Sequence, residues 1–229
     1  MKKIFFIILV WTIFLTACKA PQKYLIAQDG IRIAYDYYEP DLDNSPGAVL
    51  IHMLPANRAS WRDFALELRD RGFGVIAIDF RGRGESEGKL QKPEDFMAIE
   101  LDVKAAIDFI KKQPKINGKK IILIGASIGA NHALRLAAKT EEVVAAILLS
   151  PGLDYRGVKT ENAAKEFDKP LLVIAAEGDE YAFRSSARIY DLAKGVKEFK
   201  TLAGAAHGTN MLTTELNLFI FDWIKKAID

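Results

Sequence analysis

The sequence predicts an α/β protein built on a mostly parallel sheet with helices on both faces, and three observations lead to it. Strand-like and helix-like segments alternate along most of the 229 residues. Most of the strand-like runs are apolar at every position rather than at every second one, the pattern of strands buried on both faces. A tight Gly125-Ala126-Ser127-Ile128-Gly129 turn links one such strand directly to a helix.

The elements follow in order. Residues 31–38 are β-rich and follow an Asp29-Gly30 turn, and 41–47 form a loop of Asp, Asn, Pro and Gly. Residues 48–53 make a short apolar strand, 61–71 have helical spacing up to Gly72, and 74–80 are apolar again. Phe96, Ile99, Val103, Ala106, Ile107 and Ile110 recur at three- and four-residue steps, which predicts one helix from near Pro93 to before Pro114. A strand at 120–124, a helix at 128–138 and two buried strands at 143–149 and 170–176 come next. A helix at 182–193, a short strand at 199–202 and a final amphipathic helix carrying Leu212, Leu216, Phe219, Ile220 and Trp223 complete the chain. The longest stretch without periodicity, 151–169, sits at a strand end, where open α/β sheets bind ligands. It has room for one short helix and none for a large cap domain.

The N-terminus reads differently. Lys2 and Lys3 precede 12 almost wholly apolar residues, Ile4 to Leu15, too short to span a bilayer, for which about 20 are needed. Leu15-Thr16-Ala17-Cys18 then resembles the lipobox of bacterial lipoproteins. That resemblance implies a signal peptide at 1–17, lipidation of Cys18, a tether at 18–23 and a membrane-anchored protein in the cell envelope, facing the periplasm or the exterior. Cys18 is the only cysteine, so no intramolecular disulfide is available. Without residues 1–17 the chain carries 30 basic and 30 acidic side chains. A near-neutral balance without a basic cluster argues against a nucleic-acid partner. Nothing in the sequence calls for a cofactor or a metal. The remainder, 24–229, is expected to form one domain.

The pentapeptide carries the chemistry. A strand–turn–helix around Gly-x-Ser-x-Gly exposes the serine above the sheet, beside a helix N-terminus whose N–H groups favour negative charge. In that setting residues 24–229 resemble the α/β-hydrolase superfamily, in its small, capless, dienelactone-hydrolase- and esterase-like form. The resemblance implies a triad in the order Ser, acid, His. Ser127 is then the nucleophile. Asp179, in Glu177-Gly178-Asp179-Glu180 after an apolar strand, is the acid, with Asp154 as its rival and Glu177 and Glu180 as weaker neighbours. His207, in the small-residue loop 203–208, is the base and the only histidine beyond the acid. His132 reads as a packing or surface residue on the helix, and His52 as a strand-end residue.

Oxyanion donors are expected from the backbone of Ile128 and Leu54. The family usually has His-Gly where this chain has His52-Met53, so an apolar side chain is placed near the site. Met53, Tyr155 and Phe183 are the expected pocket residues. Asp79-Phe80-Arg81-Gly82-Arg83-Gly84-Glu85-Ser86 resembles a second, mainly structural family motif, with Arg81 as a hydrogen-bonding brace. The expected function is cleavage of a small-molecule carboxylic ester through an acyl-enzyme. An acyl-peptidase, a thioesterase or a lactone hydrolase would use the same triad, and a non-catalytic, membrane-tethered binding protein is the alternative from another class.

Overall fold

The computed structural model describes residues 23–228. The expected signal peptide, Cys18 and all of the tether but Lys23 lie outside the described residues. Among the described residues no helix is long and apolar enough to cross a membrane.

Eight strands form the main sheet: β1 (Tyr24–Ile26), β2 (Arg32–Tyr38), β3 (Ser45–Ile51), β4 (Gly74–Ile78), β5 (Ile116–Ala126), β6 (Val143–Leu149), β9 (Leu171–Ala176) and β10 (Lys197–Leu202). Their order is β1-β2-β4-β3-β5-β6-β9-β10. The five pairings from β4 to β10 are parallel, and β1 and β2 add an antiparallel edge. The parallel part puts the C-terminal ends of β3, β5, β6, β9 and β10 on one rim, where the site is built.

Helices α1 (Arg62–Arg69) and α7 (Thr214–Ile228) cover one face. Phe64, Leu68, Ile220 and Ile224 pack there against Leu50, Ile122, Ile124, Ile147 and Leu172. Helices α3 (Ile99–Ile110), α4 (Ile128–Ala137) and α6 (Glu180–Leu192) cover the other. Ile107, Leu134 and Ile189 pack there against Val49, Ile76, Leu123, Leu148 and Val173. Alternate residues of each strand serve opposite layers, which explains the runs without alternation.

Three features depart from the sequence expectation. The predicted helix from Pro93 breaks at Ala98 into α2 (Pro93–Met97) and α3. The three-residue edge strand β1 was unexpected. The 151–169 segment holds, besides the short helix α5 (Glu161–Glu166), a hairpin of β7 (Asp154–Tyr155) and β8 (Val158–Lys159). Its turn places Arg156 at φ 57° and Gly157 at φ 87°, the positive angles of a type I′ turn. No large cap is present between β6 and β9.

Candidate active site

Ser127 sits between β5 and α4 at φ 54°, ψ −121°, a backbone region that non-glycine residues rarely occupy. Its neighbours hold it there. The Ser127 N–H donates to Leu149 O of β6 at 2.8 Å, and Ser127 O accepts from Ala130 N–H at 2.9 Å. The flanking glycines are required by close approach. A Cβ on Gly125 would fall 2.3 Å from Gly129 O, and one on Gly129 would fall 2.4 Å from Ile51 O. The helix start is thus pressed onto the ends of β3 and β5, and the serine is forced to the rim. Ile128 is the first helical residue, so its N–H has no acceptor within the helix.

The acid and the histidine come from the next strands outward. Asp179 follows β9 and caps α6, and His207 follows β10. His207 Nδ1 lies 2.5 Å from Asp179 Oδ2. An ionised carboxylate can only accept, so Nδ1 carries the hydrogen and Nε2 is left as the basic nitrogen. Glu177 N–H donates to Leu202 O at 2.9 Å and Gly178 N–H to Gly204 O at 2.7 Å, which fixes the two loops to each other. Gly208, at φ 57°, donates its N–H to Ser150 Oγ at 3.0 Å. Its Cα lies against Met53 and Ala126, since a Cβ there would stand 2.5 Å from Met53 Sδ and 3.4 Å from Ala126 Cβ. The loop that carries His207 is therefore seated beside the Ser127 turn. Ser127 and His207 form no direct hydrogen bond among the described residues; such contacts commonly tighten only when substrate binds.

His52 has a role that the sequence did not suggest. It is fully buried and stacks on Phe80 at 3.8 Å between ring centroids. Nε2 accepts from Phe80 N–H at 3.3 Å, so Nδ1 is the nitrogen that donates to Met53 O at 2.8 Å. Burial pushes its pKa down to about 4, which keeps this neutral tautomer over the ordinary range. In the trans Met53–Leu54 peptide the N–H of Leu54 points opposite to the Met53 carbonyl. Holding that carbonyl toward His52 therefore aims Leu54 N–H away from it. Met53 itself is 8 % exposed and supports the histidine loop from below.

Of the expected pocket residues, Tyr155 stands beside His207. Its ring stands edge-on to His207, 6.3 Å between centroids, and its hydroxyl donates to Ser150 O at 3.3 Å. Burial raises its pKa, and the Ser127 hydroxyl is close enough to act on the phenol. Phe183 is not part of this group. Its ring packs on Phe199 of β10 at 5.5 Å, along the sheet-facing side of α6. Tyr181 takes the position instead, 5.5 Å from Tyr155. Asp154, the rival acid, lies in the hairpin. Its Oδ1 accepts from Gly157 N–H at 2.7 Å, a turn contact away from His207. Arg81 braces the rim through Asp102, at 2.7 Å, and Asp29, at 2.6 Å.

A family model described as serine aminopeptidase, S33, matches residues 49–159, a span that includes Ser127 and stops before Asp179. An uncharacterized protein of Rickettsia prowazekii is 25 % identical over 224 residues, covering 89 % of this chain and 88 % of its own. The quorum-quenching protein AidA of Acinetobacter baumannii is 27 % identical over 138 residues, 59 % of this chain and 45 % of that protein. Among solved structures, DcsB in complex with its substrate analogue superposes with a TM-score of 0.81 at 16 % identity, over 91 % of this chain and 99 % of that one. An esterase of Pyrococcus furiosus gives 0.76 at 20 % identity, over 91 % and 93 %. The fold is the α/β-hydrolase fold. An acetyl xylan esterase from Paenibacillus sp. R4 shares it at a TM-score of 0.78 and 17 % identity, over 90 % and 83 % of the two chains. Within the α/β-hydrolase fold the rim of β3, β5, β9 and β10 is where Ser127, Asp179, His207 and the His52–Leu54 turn converge.

Proposed function

We propose that the chain is a serine hydrolase that cleaves carboxylic esters through an acyl-enzyme on Ser127. The observation that carries this reading is the 2.5 Å Asp179–His207 pair seated beside a serine held at positive φ. In this reading Ser127 Oγ attacks the ester carbonyl while His207 Nε2 takes its proton. Asp179 holds the imidazole and stabilises the imidazolium. The N–H groups of Ile128 and Leu54 receive the oxyanion. Loss of one such donor typically costs on the order of 10²–10³-fold in turnover. His207 then gives its proton to the leaving alcohol, and a water activated by the same nitrogen releases the acid. The His207 side chain is 33 % exposed, which supports an open site for small or medium esters.

Fluorophosphonate labelling tests the reading. The wild-type protein should label and Ser127→Ala should not; a folded wild-type protein that stays unlabelled would remove the enzyme. The match to a family described as serine aminopeptidase gives amide cleavage a specific claim as second reading. The acidic residues next to Asp179 in the sequence are Glu177 and Glu180, both exposed. A panel of matched esters, thioesters and aminoacyl amides separates the two, with turnover of the amide alone favouring the peptidase.

We also propose that Cys18 is lipidated and holds the domain in the cell envelope. Support comes from the leader sequence and from the short span between Cys18 and β1. Each buried methylene of an acyl chain contributes about 0.8 kcal/mol, so several chains anchor firmly. Metabolic labelling of the full chain with a radiolabelled fatty acid tests it: the wild-type protein should take up label and Cys18→Ala should not, and a wild-type protein that takes up none would rule the anchor out.

A further inference from the structure

Tyr181 is 45 % exposed, and it alone among the exposed large apolar side chains of the described residues connects through a ring contact to His207. The connection is Tyr155, 5.5 Å from Tyr181 at 62° and 6.3 Å from His207 at 85°. The two phenol rings form a corner beside the imidazole. Both are fixed. The Tyr181 hydroxyl donates to Asp154 O and accepts from Asp154 N–H, each at 2.9 Å. Tyr155 donates to Ser150 O, and its ring lies so close to Gly152 that a Cβ there would meet it at 2.6 Å. Asn131 ties the same segment to α4, donating to Val158 O at 2.7 Å and accepting from Gly152 N–H at 3.0 Å.

We propose that Tyr155 and Tyr181 form a subsite for a flat aromatic group on the leaving-group side of the scissile ester, so that arylmethyl esters are preferred substrates. The proposal rests on the serine hydrolase reading above. The side follows from the chemistry. His207 protonates the departing oxygen, so the leaving group lies along the imidazole, where the tyrosine corner stands. The class follows from what the corner offers. Both hydroxyls are already engaged with backbone groups, so a sugar ring would find no free donor there. The rings are inclined and rigid, which suits the offset and edge-to-face contacts that aromatic groups make and alkyl groups do not. Their placement before binding also lowers the ordering cost.

The test uses two acetates that share an acyl group and a six-carbon ring on one methylene, benzyl acetate with a flat aromatic ring and cyclohexylmethyl acetate with a puckered saturated one. The wild-type enzyme should favour the benzyl ester in kcat/KM by about fivefold, as expected for aromatic contacts from two fixed rings. In Tyr181→Leu that ratio should fall toward one, and in Tyr181→Phe most of it should remain. Each ratio is read within one protein, so a general loss of rate cancels. Inhibition of fluorophosphonate labelling by benzyl alcohol and by cyclohexylmethanol gives the same comparison without needing acetyl as an accepted acyl group. A wild-type ratio near one in both measurements, or a ratio that survives in Tyr181→Leu, overturns the subsite and leaves the hydrolase standing. A wild-type protein that does not label at all overturns the hydrolase reading, and the subsite with it.

Discussion

Replacing His132 by leucine should stabilise the protein, and by more in acid than at neutral pH. His132 is completely buried on α4, five residues beyond Ser127, and neither ring nitrogen makes a well-formed hydrogen bond, the ring reaching no more than a poorly aligned approach to the Phe96 backbone. Removing a buried polar group that lacks a partner recovers roughly 1–2 kcal/mol when an apolar side chain of similar size takes its place. Burial, reinforced by the charge of Arg135, pushes the His132 pKa from the ordinary 6.5 down to about 3. As pH falls, the unfolded chain takes up this proton near 6.5 while the folded chain still refuses it. Stability is therefore lost from pH 6.5 downward, by about 1.4 kcal/mol per pH unit at most, and the loss levels off only below pH 3. By pH 5 this one residue costs about 2 kcal/mol relative to pH 8. The advantage of His132→Leu should accordingly grow from roughly 1–2 kcal/mol at pH 8 to roughly 3–4 kcal/mol at pH 5. Urea unfolding of both proteins at the two pH values measures it. The difference between them cancels the other titrating groups, His52 among them. A gap that stays constant or narrows in acid would refute the reasoning.

Two further substitutions probe the site and its scaffold. Asp179→Asn should lower kcat on the order of 10⁴-fold, because the amide no longer fixes the proton on Nδ1, whereas Asp154→Asn should change kcat little; steady-state ester hydrolysis decides, and the reverse ranking would exchange their roles. Gly129→Ala forces a methyl to within 2.4 Å of Ile51 O and 2.6 Å of His52 O, backbone atoms that cannot give way without moving β3. It should cost ~3 kcal/mol, a drop of roughly 6–12 °C in thermal midpoint, and a scan showing no change would mean that the helix start can retreat from the sheet.

The candidate residues Ser127, Asp179 and His207 were legible because each carries a signal that survives without coordinates. Ser127 sits in a pattern that strand, turn and helix must all satisfy. His207 was singled out by the scarcity of histidines, and Asp179 by its place after a run buried at every position. The hairpin was not legible, since two-residue strands have no periodicity; Gly157 was its only mark. The break at Ala98 carries no proline or glycine and leaves the three-and-four spacing intact. Phe183 packs on Phe199 rather than on Tyr155 for a geometric reason. One residue of uncertainty in a helix start rotates a side chain by about 100°. In α6 the buried stripe runs through Ala182, Ser185, Ser186 and Ile189. Tyr181 and Phe183 flank that stripe on opposite sides, Tyr181 toward Tyr155 and Phe183 toward Phe199. The part played by His52 depends on which of its nitrogens meets which backbone group, and sequence spacing does not encode that.

The hairpin explains how a fold without a large cap can still shape its site. A separate cap moves against its core, whereas this rim is fastened to the helix that follows Ser127. Asn131 is four residues from Ser127, one turn along α4, and its side chain holds both Gly152 N–H and Val158 O. Thr160 adds a hydrogen bond to Gly152 O at 2.8 Å from the far end of the same segment. Any displacement of Tyr155 from the imidazole would therefore strain contacts anchored to α4, whose own start is wedged against Ile51 and His52. The consequence is an open rim whose side chains are held in place by the fold itself. In the proposed hydrolase, selectivity would then come from fixed side chains at the rim, and the 53–54 turn is held by a histidine whose pKa burial pushes down to about 4.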